Sequence, residues 1–466
     1  MPGRVLLLQG PVGPFFSLLA EELKSEGHEV FKIHFNGGDE VCYTQSGAHR
    51  YCGDLAGWPV FLRAFLARHK IDRIFLFGDC RSYHLRATKV AREMGVAVFV
   101  FEEGYIRPDY VTLEPGGVNG HSALSREPDD YTAQRPVKPA DPQPAGGVFW
   151  RIAGYATRYY LAGWWRRRAF PHYEHHRPLT PFREGLCWLR SGLRKLYYLC
   201  ADYPLVRRLG KRQQGKYYLV PLQVHCDKQI THHSRYASIE DFIAEVIGSF
   251  AKHAPADTEL VFRHHPMDRA YHDYGRLIAR LAVRYRVRGR VGYLHEGHLP
   301  ALLHGARGTV TINSTVGLSS IYHQTPVKLM GSAVYDMPGL TCPKPLDAFW
   351  LAPGEVDSRL YSRFRQYLVA NVLGNGSFYR RVRADRGATG IEWPLGSLSA
   401  ASDPARAGVL PIVARVREEV AVEANTASLP VPSPATGRSD AATPEIDSCD
   451  VREAGEPASG SFQCAY

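Results

Sequence analysis

The feature that most constrains this chain is a regular alternation of apolar strand segments and amphipathic helical segments over its first 130 or so residues. The predicted strands are RVLLLQG, HEVFKIHF, IDRIFLFGD and VAVFVFEEG, and the predicted helices between them are FFSLLAEELKSEG, WPVFLRAFLARHK and SYHLRATKVAREMG. NGGDE, which follows HEVFKIHF, is predicted to be a loop. Strands that are apolar almost throughout predict a parallel sheet covered by helices on both faces. Ligands of such sheets bind beyond the carboxyl ends of the strands, where Gln9, Gly10, Asp79, Glu102 and Glu103 lie.

A second alternation begins near residue 215 and repeats this architecture without a visible sequence repeat. Its predicted strands are KYYLVPLQV, TELVFRHHP, RVGYLHEG, GTVTINS and PVKLMG. The segment YSRFRQYLVANVL is predicted to be a helix that closes this second half. A chain of 466 residues is too long for one ordinary core. The sequence therefore predicts an α/β protein in which two doubly wound domains face each other across a cleft.

The segment between the two halves, residues 136–214, is strongly basic and rich in aromatic residues. From Arg151 to Lys216 there are 15 Lys or Arg against three acids, which accounts for all of the net charge of +11. Tryptophan and tyrosine interleaved with arginine, as in YYLAGWWRRRAFPHY, suit an anionic membrane surface, because the rings lie at headgroup level while guanidinium groups meet phosphates. Nucleic-acid binding, or a solvated arm packed on the main body, would have the same composition.

Several broad properties follow from composition. Residues 396–466 are rich in Ala, Ser, Pro and Thr and are predicted to be a disordered, low-complexity tail. Nine scattered cysteines form no CxxC pair, which favours reduced thiols in a cytosolic protein. The amino-terminal MPGRVLLLQGPVGPFF is predicted to be a strand and not a signal peptide, and no stretch has the roughly 18 uninterrupted apolar residues that span a bilayer. The 20 histidines show no metal-ligand spacing, so no metal site is predicted.

The run VFVFEEGYIRPD changes abruptly from an apolar strand to Glu102, Glu103, Gly104 and Arg107. Either this strand leaves the core and its polar residues lie in solvent, or one of the glutamates is a catalytic carboxylate at the carboxyl end of a parallel strand. Arg107 could pair with an anionic substrate group or with one of the two glutamates. The continuation EGYIRPDYVTLEPGGVNGHS has no helical or strand period and is predicted to be a structured loop, a kind of segment that is often functional.

Two polar segments of the second half also lie at predicted strand ends. His264 and His265 precede Pro266, which cannot continue a central strand, and they either cap backbone groups or donate to a phosphate or a base. Asp227 and Gln229 follow the first strand of this half and would face the cleft. An aspartate in such a place is more often a cap or turn residue than a nucleophile.

A third polar segment, TINSTVGLSS, predicts a strand, a turn and a helix that begins near Ser314 and Thr315. Free amides and hydroxyls at a helix amino terminus bind phosphate, but Ser and Thr are also the common capping residues. The chain has no Walker glycine loop, no HExxH and no GxSxG motif.

Longer strings around these residues carry a more specific signal. FEEGYIRPDYVTLEPGGVNG, VPLQVHCDKQI, FRHHPMDRAYHDY, INSTVGLSSIYH and YDMPGLT resemble the capsule polysaccharide biosynthesis and export family, which includes β-Kdo transferases (Kdo is 3-deoxy-manno-octulosonic acid). The resemblance covers residues 1–135 and 215–375. The single set of motifs is similar to single-module members, which start a Kdo linker on a phospholipid.

The resemblance implies two Rossmann-like domains in the GT-B arrangement. Residues 1–135 would form the acceptor-side domain, residues 136–214 the insert, which would face the membrane, and residues 215–395 the domain that binds the CMP-sugar. The implied reaction retains configuration and moves β-Kdo from CMP-β-Kdo to a phosphatidylglycerol-type lipid, without a cofactor or a protein-bound metal.

The resemblance also implies roles for individual residues. Glu103 would be the acid/base residue, with Glu102 as the alternative, and Asp227 would be the nucleophile, as in a retaining glycosidase. The donor would be bound by His265 and Pro266, which hold the cytidine monophosphate, by Ser314 and Thr315 at its phosphate, by Gln229, and by Arg107 at the Kdo carboxylate.

The implied partners are CMP-Kdo, the lipid acceptor, the inner-leaflet membrane surface and other capsule assembly proteins, with no nucleic acid. The expected location is the cytoplasm, peripheral at the inner membrane. Two alternatives stay open. One is another CMP-sugar transferase of the sialyl type, which the EEG, HP and Ser-Thr motifs alone would allow. The other is a non-catalytic, membrane-associated capsule export protein.

Overall fold

The first alternation forms a seven-stranded sheet, and six of its strands come from the first half of the chain. The computed structural model describes residues 3–133, 141–175, 181–211 and 214–394. The six strands are β1 (Arg4–Leu7), β2 (Glu29–His34), β3 (Ala48–Arg50), β4 (Arg73–Phe77), β5 (Ala97–Glu103) and β6 (Tyr110–Pro115). Their order is β6-β5-β4-β1-β2-β3, with β1 to β5 parallel and β6 antiparallel to β5.

Helices cover both faces of this sheet, as its apolar strands require. The helices of this half are α1 (Phe15–Ser25), α2 (Gly37–Cys42), α3 (Trp58–His69), α4 (Ser82–Glu93) and α5 (Pro128–Thr132). Along β1, Val5 and Leu7 enter one core while Leu6 enters the core on the other face. This period of two, with both sides apolar, is why the strand segments are apolar throughout.

Two segments differ from the sequence-based prediction. NGGDE, expected as a loop, forms α2, because Asn36 Oδ1 accepts hydrogen bonds from the amides of Gly38 (2.7 Å) and Asp39 (3.1 Å). Glycine and aspartate have low helix propensity, so the capping residue and not the composition starts this helix. The prediction of one continuous loop after Glu103 is also wrong, because Tyr110–Pro115 returns along β5 as a strand.

The second alternation forms a separate parallel sheet. Its strands are β7 (Tyr217–Pro221), β8 (Glu259–Arg263), β9 (Val291–Leu294), β10 (Gly308–Thr311) and β11 (Val327–Leu329), in the order β11-β10-β7-β8-β9. All four pairings are parallel. Tyr218 and Val220 of β7 enter one core and Leu219 enters the other, so this sheet too is covered on both faces.

Helices α6 (Phe149–Trp165), α7 (Pro181–Ala201) and α8 (Tyr203–Lys211) lie between the two sheets in sequence. The helices that follow are α9 (Lys228–His233), α10 (Ile239–His253), α11 (Gly275–Arg284), α12 (Leu299–His304), α13 (Val316–Tyr322), α14 (Leu346–Phe349) and α15 (Ser358–Asn371). None of the described helices is both long enough and apolar enough to cross a bilayer.

Helix α15 joins the two halves and does not close only the second. Its Phe364 and Leu368 share one apolar core with Tyr105 and Tyr131 of the first half. The chain then adds β12 (Leu373–Asn375) to the first sheet, antiparallel to β6. The two sheets confirm the predicted GT-B type α/β fold. The domain boundaries remain a prediction. Strand β12 belongs to the first sheet, although its residues lie within the predicted second domain, residues 215–395. The predicted tail, residues 396–466, lies outside the described residues.

Candidate active site between the two sheets

The two adjacent glutamates lie at the carboxyl end of β5, which continues through both of them. Glu102 pairs with Thr112 and Glu103 with Val111, so their side chains point to opposite faces of the sheet. Glu103 Oε1 accepts a hydrogen bond from the Tyr379 hydroxyl at 2.8 Å. One carboxylate is therefore held from the far end of the described chain, and the other points away from that contact.

Glu102 has the electrostatic character of a proton-transfer group. Burial raises the pKa of its carboxyl to about 7, and the charges of Glu103 and Asp79 act in the same direction. The Glu103 amide, which donates to Glu102 Oε1 at 3.0 Å, and the Arg107 guanidinium oppose that rise in the pKa. A carboxyl with a pKa near 7 populates both protonation states at neutral pH, as a general acid or base requires.

Arg107 lies in the turn that connects β5 to β6. The turn needs a glycine, because a Cβ on Gly104 would lie 2.1 Å from the carbonyl oxygen of Tyr110. Arg107 is exposed, and its Nε donates to the Gly104 carbonyl at 3.4 Å. Among the described residues it forms no ion pair with Glu102 or Glu103. Its charge lowers the pKa of His265, so this turn lies within electrostatic range of the second half.

The two histidines after β8 have different environments. His264 is fully buried, and its Nδ1 lies 2.7 Å from the Tyr293 hydroxyl. His265 Nδ1 accepts a hydrogen bond from the Met267 amide at 3.2 Å, at the start of the short 3-10 helix Pro266–Asp268. Burial lowers the pKa of His265 to about 4. The ring is therefore neutral, and with Nδ1 accepting, its Nε2 carries the proton and can donate it to an anionic ligand.

Asp227 lies in the turn after β7 and is connected to the turn after β10. Gln223 Nε2 donates to Asp227 Oδ2 at 3.2 Å and to Asn313 Oδ1 at 2.9 Å. Burial raises the pKa of the Cys80 thiol of the first half, and the negative charge of Asp227 adds to that rise, so Asp227 lies within electrostatic range of the first half. Gln223 was not predicted from the sequence, although it follows the apolar strand directly, as the other site residues do.

The polar pair before α13 forms the start of that helix. Ser314 Oγ accepts a hydrogen bond from the Val316 amide at 3.2 Å, and the Ser314 carbonyl accepts one from Tyr335. Thr315 is the N-cap residue but makes no side-chain capping hydrogen bond. The capping interpretation therefore holds for Ser314 and not for Thr315. The side chain of Gln229 lies outside the described residues.

A group that the sequence did not predict lies beside these residues. The ligand-type atoms of Asp79, Cys80, His121 and His233 all lie within 4.8 Å of one another. Three belong to the first half and one to the second, and only Asp79 had been singled out as a residue at a strand end. Tyr379 was missed as well, because nothing local in the sequence indicates that its segment returns to β5.

The basic insert divides into two parts. Helix α6 packs on the first half, where Tyr159 donates to Asp39 Oδ1 at 3.1 Å and accepts from Asn36 Nδ2 at 2.7 Å. Helix α7 packs one side on the second half through Glu184, which accepts from the Tyr271 hydroxyl at 2.5 Å, and Arg194, which donates to the Arg269 carbonyl at 2.7 Å. Both helices therefore pack on the main body, as the alternative of a solvated arm packed there expects.

The opposite side of α7 is an exposed apolar stripe at helical spacing. Its members are Phe182, Leu186, Leu189, Leu193, Leu196 and Tyr197. On α6, Trp150, Trp164 and Trp165 are exposed as well. Exposed aromatic and aliphatic side chains beside arginines are typical of helices that lie in a membrane interface.

A cavity of about 470 Å³ lies between α7 and the strand-end loops of the second half. Arg183 and Arg190 of α7 line one side, and His225, Met267 and Tyr271 line the other. The His225 ring is held by a bond to the fully buried Asp268. The cavity therefore lies between α7 and the loop that carries His265, and its charged lining consists of Arg183 and Arg190 together with one acid, Glu184.

The chain is similar in sequence to known capsule polysaccharide proteins. The family model described as capsule polysaccharide biosynthesis protein matches residues 72–379. The chain is 40% identical over 376 residues to the capsule polysaccharide export protein KpsS of Escherichia coli, covering 81% of this chain and 97% of that protein. It is 40% identical over 385 residues to the capsule polysaccharide modification protein LipB of Neisseria meningitidis serogroup A, covering 81% and 92%. A solved structure of the β-Kdo 2,7 transferase of KpsC from Thermosulfurimonas dismutans is similar with a TM-score of 0.38 and 14% identity, covering 77% of this chain and 89% of that chain.

Proposed function

Because the chain belongs to the capsule polysaccharide biosynthesis protein family, we propose that it is a retaining glycosyltransferase that moves β-Kdo from CMP-Kdo to a phosphatidylglycerol-type lipid. The observation that carries the proposal is that the polar strand ends of the two halves meet, with Cys80 Sγ of the first half 3.4 Å from His233 Nε2 of the second. Arg107 of the first half lowers the pKa of His265, and Asp227 of the second half raises the pKa of Cys80. A transferase with a donor domain and an acceptor domain needs both sets of groups at one cleft.

The chemistry that these groups support has two steps. Asp227 attacks the anomeric carbon of Kdo, the bond to the phosphate oxygen breaks, and CMP leaves with the electron pair. His265 donates a hydrogen bond to the departing phosphate, and Thr315 offers its hydroxyl on the same side. In the second step, a lipid hydroxyl attacks the anomeric carbon and displaces Asp227, so two inversions retain the configuration.

A base must take the proton of the lipid hydroxyl in the second step. Glu102 suits this role better than Glu103, which the motif resemblance favoured. The pKa of Glu102 is about 7, and its carboxyl points away from the Tyr379 contact that holds Glu103. Arg107 is placed to meet the Kdo carboxylate, since it is exposed and lies within electrostatic range of both Glu102 and His265.

The acceptor side of the proposal rests on the insert. The apolar stripe of α7 would lie in the interface of the inner leaflet, with arginines meeting anionic headgroups. The cavity between α7 and the second half, lined by Arg183 and Arg190, would hold the lipid phosphodiester. The protein would then be peripheral at the cytoplasmic face of the inner membrane, where other capsule assembly proteins could collect the product.

One assay tests the proposal against its alternatives. The purified chain is incubated with a phosphatidylglycerol analogue and either CMP-Kdo, generated in situ, or CMP-sialic acid, and the lipid is analysed by mass spectrometry. Addition of one Kdo supports the proposal. Addition of sialic acid would establish a sialyl-type transferase instead, and an unmodified lipid with both donors would leave a non-catalytic export protein.

The matched variants are Glu102→Gln, Glu103→Gln and, as a control, Glu355→Gln at an exposed position. We expect product from the control at the wild-type rate and a large loss only for Glu102→Gln. Equal activity of Glu102→Gln and the control would remove the proposed base, and a loss confined to Glu103→Gln would return the role to Glu103.

A further inference from the structure

Four side chains with metal-ligating atoms converge where β4 ends. Asp79 and Cys80 follow β4, and His121 ends the short 3-10 helix Asn119–His121. His233 ends α9, which belongs to the second half. No local spacing in the sequence indicates this group, because its members come from three separate segments.

The distances within the group are those of a compact ligand set. Cys80 Sγ lies 3.3 Å from Asp79 Oδ1 and 3.4 Å from His233 Nε2, and His121 Nδ1 lies 3.1 Å from Asp79 Oδ2. With zinc–ligand bonds of about 2.0–2.3 Å, neighbouring atoms of a tetrahedral site are separated by roughly 3.3–3.8 Å. Small shifts of these side chains would therefore place all four around one ion.

The surroundings hold the ligands in place. Asp79 Oδ2 also accepts a hydrogen bond from the Val118 amide at 3.0 Å, which fixes the orientation of the carboxylate. Gly120 permits the approach of the second half, because a Cβ there would lie 2.3 Å from His233 Nδ1. The side chain of His121 is 45% exposed, so an ion can enter from solvent.

Three of the four side chains lie in the interior of the protein. Cys80, Asp79 and His233 are all less than 9% exposed. Buried charged groups are either paired or coordinate metals, so a carboxylate buried beside a thiol and an imidazole is suited to a bound cation.

We propose that Asp79, Cys80, His121 and His233 bind one divalent zinc-type ion that ties the two halves together. One thiolate, two imidazoles and one carboxylate are a ligand set for zinc and not for magnesium or calcium, which take oxygen ligands. Binding breaks the S–H bond of Cys80, whose proton leaves to solvent, and forms the metal–sulfur bond. None of these four ligands is a residue of the proposed chemistry at Glu102 and Asp227.

The test is a titration of the purified full chain, first treated with a chelator, with Zn²⁺ and with Co²⁺. We expect one equivalent of each ion to bind, and Co²⁺ to produce a near-ultraviolet thiolate-to-metal absorption band. Cys80→Ser should abolish the band, and His121→Ala and His233→Ala should abolish binding of one equivalent. Cys342→Ser and His304→Ala are matched controls that should bind like the wild type.

Because Cys80 and His233 are buried, far-ultraviolet circular dichroism of each variant separates loss of ligand from loss of fold. The partly exposed His121 can be replaced without a change in the core, so His121→Ala decides the question if the other two variants do not fold. Wild-type protein that binds no stoichiometric metal, or variants that bind as the wild type does, would show a hydrogen-bonded cluster only. The titration uses neither donor nor lipid, so failure of the transferase proposal would leave this result unchanged.

Discussion

The ends of β4 and β5 in the first sheet are followed by Asp79 and formed by Glu102 and Glu103, whereas the ends of β8 and β10 in the second sheet are followed by His265 and Ser314. Both edges have the same geometry, since each is the carboxyl-terminal edge of parallel strands covered on both faces. The first edge offers carboxylates, which can accept a proton from a hydroxyl. The second offers neutral donors, which can meet the phosphate of a departing nucleotide.

One physical cause shapes both edges in opposite directions. Burial disfavours the charged form of any group, so it raises the pKa of Glu102 to about 7 and lowers the pKa of His265 to about 4. The result is a base that is available near neutral pH on one side, and an uncharged hydrogen-bond donor on the other. Burial in one cleft can therefore produce an acceptor side and a donor side from two sheets of the same fold.

The largest expected effect concerns Asp227, the one carboxylate of the second edge in the proposed site. Asp227→Asn keeps the shape of the side chain but cannot form the covalent intermediate, so we expect kcat/KM to fall by about 10³-fold or more. The measurement is Kdo transfer by mass spectrometry, with Asp257→Asn, at an exposed position, as the control. Activity within a few-fold of the control would show that Asp227 is not the nucleophile and that the two edges do not have the proposed roles.

The second-largest expected effect is the loss of activity on replacement of Glu102, compared with the smaller loss on replacement of Glu103. General-base catalysis contributes about 10²–10⁴-fold, so Glu102→Gln should lower kcat by at least about 10²-fold. Glu103→Gln removes a carboxylate that accepts from Tyr379 and should cost less than about tenfold. A larger loss of activity for Glu103→Gln than for Glu102→Gln in the transfer assay would show that Glu103, on the other face of β5, is the base.

The donor edge is tested by His265→Ala. Loss of a hydrogen bond to a charged phosphate costs about 1.5–3 kcal/mol, which corresponds to a fall of roughly 10- to 160-fold in kcat/KM for the CMP-sugar. His304→Ala, at an exposed position, is the control. Unaltered kinetics with the donor would mean that His265 does not face the nucleotide.

The pH dependence of kcat/KM tests whether Glu102 is the base of the first edge. Glu102 must be ionised to accept the proton, so kcat/KM should fall about tenfold per pH unit below about pH 7. The charges that set this midpoint are Glu103 and Asp79, which raise the pKa of Glu102, and Arg107, which lowers it. Arg107→Gln should therefore move the midpoint to higher pH. A wild-type profile that is flat between pH 5 and pH 8 would contradict a base with a pKa near 7.

The smallest effect should lie outside both edges. Arg168 is exposed beside α6, and a basic residue near an anionic membrane is worth about 1 kcal/mol, so Arg168→Ser should weaken binding to phosphatidylglycerol vesicles about fivefold. Transfer to a short-chain, water-soluble acceptor should not change. Vesicle sedimentation with Arg359→Ser as the control measures this, and equal binding of the two variants would count against membrane docking through this segment.

The strand and helix pattern could be predicted because it is local. The alternation of RVLLLQG and IDRIFLFGD with amphipathic segments directly gives β1 and β4, since side-chain period and burial are set by near neighbours. It failed for α2, whose start depends on the Asn36 cap, and for β6, whose partner strand decides its conformation. Of the candidate site, the polar residues at strand ends could be named, because parallel sheets place them at one edge.

By itself, the sequence determined the two α/β halves, the basic insert and the motif strings that identify the family. Only the tertiary structure decided that β12 returns to the first sheet, that Glu102 and Glu103 point to opposite faces, and that Cys80 lies 3.4 Å from His233. The physical reason is the distance along the chain over which each interaction acts. The hydrophobic period that sets a strand or a helix is decided within a few residues. The cleft is formed by side chains more than 100 positions apart, and whether they meet depends on how whole sheets pack.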